Sequence, residues 1–125
     1  MAAELTLSYI FKLAGLRDQD DVVAGLKTES DTPTASSGVQ YRVLAAADTA
    51  EVLDVGDVST IDCIILLAID YDVDIDTSYS SSFSTEITAR AGGLPVIFEP
   101  GGTVYVKNNG SGETPKYVFL VVGRT

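Results

Sequence analysis

The stretch from Thr60 to Ser78, TIDCIILLAIDYDVDIDTS, constrains this chain most, because it joins two different periodicities without a break. Ile61 to Ile69 is almost continuously apolar. A short run of that kind, rich in isoleucine, predicts a strand covered on both faces. Asp70, Asp72, Asp74 and Asp76 then alternate with Tyr71, Val73 and Ile75. A period of two predicts a strand with one dry and one wet face. The chain thus sets a core strand in its middle and an acidic strand beside it.

The same alternation recurs on both sides of that stretch. Leu5, Leu7, Tyr9 and Phe11 take one side of a strand over Glu4–Lys12, and Val22–Leu26 is a second, short one. Gly15–Asp21 between them has turn chemistry. Lys27–Gly38 is predicted as a polar loop, with Pro33 barring a central strand position. Val39, Tyr41, Val43 and Ala45 alternate with Gln40, Arg42 and Leu44, and a turn at Ala47-Asp48 leads to a strand over Thr49–Val55. Later strands are expected over Thr85–Ala91, Leu94–Phe98, Thr103–Lys107 and Lys116–Val122. Gly92-Gly93, Pro100-Gly101-Gly102 and Asn109-Gly110 supply turns between them. No segment keeps a helical period over three turns. The expected fold is all-β: an antiparallel β-sandwich, jelly-roll-like, of about nine short strands, in a single domain over residues 1–125.

Composition limits the function. Apolar residues make up 46% of the chain, enough for a core without disulfide or metal staples. A net charge of −10 with 8 Lys plus Arg repels phosphate backbones and anionic membrane surfaces, so neither nucleic acid nor membrane is expected as a partner. The longest apolar run is far short of the ~20 residues a membrane helix needs. The start, MAAELTLSYIFKLAG, lacks the basic region of a signal peptide. Cys63, the only cysteine, reads as a small buried hydrophobe and suits a reducing compartment. There is no histidine, which removes imidazole-based triads and the common His-ligated metal sites. There is no tryptophan to line a sugar cleft and no glycine-rich phosphate loop. A non-enzymatic protein without a resident cofactor is expected.

Two groups of residues are candidates for contact or binding. Asp70, Asp72, Asp74 and Asp76 would project from one strand face about 7 Å apart. Calcium is the cation such carboxylates would take, once a loop or a neighbouring subunit completes its six to eight oxygens. The other reading is a solvated face that discourages edge pairing. Tyr79 and Phe83 lie in the Ser-rich loop Thr77–Ser84, as interface contacts or as rings packed back on the sheet.

Four stretches carry a family resemblance: LTLSYIF at Leu5–Phe11, EVLDVGDVST at Glu51–Thr60, LAIDYDVDID at Leu67–Asp76, and ITARAGGLPVIFEPGGTVYVKNNG at Ile87–Gly110, with KYVFLVV closing the chain. Their order and spacing resemble those of small virion proteins of tailed bacteriophages, particularly common in marine phage genomes. Those proteins carry an ALDLGDVST-like segment, a strand of the NLD…NYVEIG type and an LKLKAGE…LYAKAN segment. The acidic ladder, Gly93 where the group often has Glu, and the Lys27–Gly38 loop depart from that pattern. The resemblance implies a β-sandwich in a phage particle, made in the host bacterial cytoplasm. It implies a capsid decoration (cement) protein partnered by itself, as a homotrimer, and by the major capsid protein or other virion proteins. The alternative is a tail- or fibre-associated module that binds a host-surface glycan. Apolar residues such as Ile10, Leu44 and Ile64 or Ile65 exceed what one sheet face covers, which favours a second sheet or a neighbouring chain.

Overall fold

The computed structural model describes residues 4–13, 21–31 and 33–125, and the described residues are all-β with no helix. They fall into two compact units, Met1–Thr34 and Ala35–Thr125. The first is a hairpin of β1 (Leu5–Leu13) and β2 (Asp21–Asp31), antiparallel from Leu5 opposite Asp31 to Leu13 opposite Asp21, with register shifts between Tyr9 and Lys12. The polar loop expected over Lys27–Gly38 is therefore shorter, because Lys27–Asp31 pair with Leu5–Tyr9. The turn expected at Gly15–Asp21 lies, but for Asp21, outside the described residues.

The sandwich occupies the second unit rather than all of residues 1–125. Its nine strands are β3 (Ala35–Ser36), β4 (Gln40–Val43), β5 (Glu51–Val52), β6 (Thr60–Ala68), β7 (Val73–Asp76), β8 (Ile87–Ala89), β9 (Val96–Phe98), β10 (Tyr105–Asn108) and β11 (Lys116–Arg124). One sheet runs β3-β11-β6-β9, with β4 beside β3 along the same edge of β11; the other runs β5-β10-β7-β8. Every pairing is antiparallel.

Residues directly opposite in an antiparallel ladder share a face, so the register sorts each sheet into an inner and an outer side. In the five-stranded sheet the inner rows are Tyr117–Ala68, Phe119–Leu66–Val96 and Val121–Ile64–Phe98. They meet Val73, Ile75, Ala89 and Val106 of the four-stranded sheet, and Val104 just before β10, in one hydrophobic cluster. Tyr117 and Phe119 stack with ring centroids 5.9 Å apart. Leu44 is buried as well, anchored by its N–H donating to the Pro115 carbonyl at 3.0 Å.

A register shift between Val122 and Gly123 leaves Asp62 unpaired as a bulge, and Ile61 packs against the core. Gly123 is required there. A Cβ would come 2.0 Å from the Thr60 carbonyl oxygen and 2.8 Å from Val58 Cγ1. Asp62, freed from the ladder, accepts from Arg124 at 2.8 Å.

Candidate functional site

Two of the four carboxylates of the acidic ladder, Asp74 and Asp76, are buried rather than solvated, while Asp70 is exposed. Only Asp74 and Asp76 belong to β7; Asp70, in a bend, and Asp72 precede it. Asp74 and Asp76 lie on the outer side of their sheet, opposite Lys107 and Tyr105, yet are only 9% and 3% exposed. The Ser-rich loop covers them. Tyr79 stacks on Tyr105 at 3.7 Å, and the Lys107 ammonium sits 5.9 Å from the centre of the Phe83 ring. Both aromatic rings are half-buried on their own sheet, the second of the two roles open to them from the sequence. A buried charge needs donors; the loop supplies them to Asp76, while Thr85, β8 and the loop after β10 supply them to Asp74. Asp76 accepts from the N–H groups of Ser78 and Ser84 at 3.0 and 2.9 Å. Asp74 accepts from the Thr88 and Thr85 hydroxyls at 2.8 and 3.3 Å, and from the Asn109 amide at 3.1 Å.

The other two aspartates pin turns. Asp72 accepts from the Ala91 N–H at 2.8 Å, with Arg90 3.9 Å away. Asp70 accepts from the Lys116 N–H at 2.7 Å, and that bond holds its carboxyl below the usual carboxylate range. Each of the four thus has a donor from the chain itself, and the described residues hold no group of three or more His, Cys, Asp or Glu placed for a metal.

Two further carboxylates do similar work without any periodic signal in the sequence. Glu86 accepts from the Thr77 hydroxyl and N–H and from the Ser78 hydroxyl at 2.8 Å, which lowers its pKa. Asp48, at a positive φ of 61°, accepts from the Asn108 amide at 2.9 Å and from the Gly112 N–H, and its pKa falls for the same reason. Aspartate next to a turn is the one local hint of such a role.

The five-stranded sheet has the opposite character. Its outer rows are Tyr41–Val118–Leu67 and Leu120–Ile65–Ile97, with Val43 on the same side of β4. Tyr41 is 58% exposed, Ile97 46% and Leu67 36%. The apolar run Ile61–Ile69 is therefore buried on one face only, and Cys63, on the other, is half-buried rather than buried. Of the residues in excess for a single face, Leu44 and Ile64 are buried, and Ile65 lies on this outer side. Ile10 lies among residues whose side chains are not described. On β4 the apolar side faces outward, while Arg42 turns the other way to pair with Asp54 at 3.1 Å.

Among the described residues, a cavity of about 600 Å³ opens between Val52–Ile61 and Glu99–Val104. Glu99 is its one ionisable lining group, so it offers no pair of groups for acid–base work. The outer side of the five-stranded sheet exposes Tyr41, Leu67 and Ile97 in a chain of net charge −10. The chain matches no family model, no curated protein and no solved structure.

Proposed function

We propose that this is a non-enzymatic structural protein of a tailed-bacteriophage particle, a capsid decoration protein that acts by subunit contact. The observation that carries the reading is the apolar outer face of the five-stranded sheet, with Tyr41, Leu67 and Ile97 exposed on it. An exposed apolar sheet face of that kind marks an interaction site. The four stretches that resemble small phage virion proteins support the same reading. So does the charge of −10, which keeps a protein made beside packaged DNA away from phosphate.

The occupant of the face is a second copy of the chain, and the assembly is a closed homotrimer seated on the shell through the major capsid protein. Homo-oligomers close by rotation, and each copy brings the same apolar face. The glycan-binding alternative has less support, because Tyr79 and Phe83 are spent on Tyr105 and Lys107. Electron cryo-microscopy of the phage that encodes the chain tests the proposal. Three-fold density for this sandwich on the outside of the head is expected; its presence only on the tail, or its absence from the particle, refutes it.

A further inference from the structure

The loop that joins β10 to β11 carries the dipeptide Asn109-Gly110. Asn109 is exposed, and both of its ends are held. Its side-chain amide donates to the two carboxylate oxygens of Asp74 at 3.1 and 3.3 Å, and its backbone N–H donates to the Asp72 carbonyl at 3.3 Å. The Glu113 carboxylate lies directly over the Cα of Gly110, where a Cβ would come 2.6 Å from its Cδ and from both oxygens. The Glu113 N–H closes the turn onto the Gly110 carbonyl at 3.3 Å. Asn109, Gly110 and Glu113 together line a solvent-open cavity of about 260 Å³. Asn108 next door is different: it is buried, and its amide donates to Asp48 at 2.9 Å and to the Gly110 carbonyl at 2.6 Å.

We propose that Asn109 is a self-modification site at which the chain deamidates itself, with Glu113 as the base. A glycine at 110 leaves the backbone nitrogen unshielded, so it can approach the side chain before it. Glu113 accepts the proton of the Gly110 N–H, and that nitrogen attacks Cγ of Asn109. The Cγ–Nδ2 bond then breaks, and Nδ2 departs with the proton as ammonia. Water opens the resulting succinimide at either carbonyl, giving aspartate or isoaspartate at 109. The sum is one amide and one water converted to one carboxylic acid and one ammonia, with no redox partner needed.

The product has a structural consequence. A carboxylate at 109 has no N–H to give Asp74, so that buried group loses a donor and meets a like charge. The reaction therefore loosens the end of the sandwich where β7 and the β10–β11 loop meet, as a slow, irreversible covalent change in the folded protein.

The test uses the full chain, incubated in mildly alkaline buffer and digested with trypsin. Cleavage after Lys107 and Lys116 releases one peptide that contains both asparagines of the chain. A gain of about one mass unit that fragmentation places on Asn109, with isoaspartate among the products and Asn108 unchanged, is expected. Glu113→Gln, which keeps the shape and removes the base, is expected to slow the reaction at least about tenfold. Glu113→Asp retains charge at a shorter reach and is expected to fall between the two; it carries the comparison if circular dichroism shows the glutamine variant unfolded. An Asn109 that keeps its amide, equal conversion of Asn108, or a Glu113-variant rate equal to that of the parent chain overturns the proposal.

Discussion

Replacing Asp76 by alanine tests how the Ser-rich loop is held. Asp76 is 3% exposed and is the acceptor for the N–H groups of Ser78 and Ser84 at 3.0 and 2.9 Å. Hydrogen bonds to a charged group contribute about 1.5–3 kcal/mol each. Ser78 and Ser84 are themselves exposed, so water recovers part of that loss and the lower figure applies. Two bonds at the lower figure give about 3 kcal/mol for Asp76→Ala. Asp76→Asn keeps one acceptor oxygen of the same shape and is expected to cost about half of that. Asp57→Ala, in an exposed turn, is expected to stay within about 0.5 kcal/mol of the parent. Urea unfolding followed by circular dichroism measures all three, and in a thermal scan about 3 kcal/mol appears as a fall of roughly 10–20 °C. An Asp76→Ala chain no less stable than Asp57→Ala would show that the loop does not cover the strand and that the ladder is solvated after all.

Other outcomes follow from particular contacts. Gly123→Ala forces a Cβ to 2.0 Å from the Thr60 carbonyl oxygen, and because that neighbour is backbone of the paired strand, a loss of about 3 kcal/mol in urea unfolding is expected. Stability is expected to fall at both ends of a pH series of melting temperatures. Hydrogen bonds lower the pKa values of Glu86, Asp70 and Asp48 in the folded state, so their stabilisation is whole above the unfolded carboxylate range and is lost as the pH falls from that range through the lowered folded-state values. Burial pushes the Tyr117 phenol up to about 12, so its contribution is whole below its unfolded pKa and is lost as the pH rises through about 12. Calcium is expected to raise the melting temperature no more than magnesium at matched ionic strength, because Asp70, Asp72, Asp74 and Asp76 already accept from the chain's own donors. A calcium-specific rise would restore the ladder as a cation site.

The strand content was legible because period two is written directly into segments such as Thr103–Lys107 and Lys116–Val122, which become β10 and β11 with small shifts at their ends. Which side of an alternating strand faces the core was harder to read. On β4 the apolar residues Tyr41 and Val43 point away from the core, because β4 is an edge strand whose inner side meets the Arg42–Asp54 pair. Alternation reports that two faces differ, not which neighbour each one meets. The ladder misled for a related reason. A row of aspartates on an outer face reads as solvated until a loop returns across it, and the partners that bury Asp74 and Asp76 lie up to 35 residues away. Glu86, Asp48 and Asn108 carried no periodic pattern, since Glu86 acts singly at a loop and Asp48 and Asn108 meet only across 60 residues of chain.

Sedimentation equilibrium of the parent chain beside a Leu67→Glu, Ile97→Glu double variant tests most directly whether the apolar outer face works as a subunit interface. Both positions are exposed on that face and outside the core cluster, so the variant is expected to keep its circular dichroism spectrum and melting temperature. The parent is expected to sediment at three times the 13.2 kDa chain mass at micromolar concentration, and the variant at the mass of a single chain. A parent that stays at 13.2 kDa at every concentration, or a double variant that associates as the parent does, would contradict it.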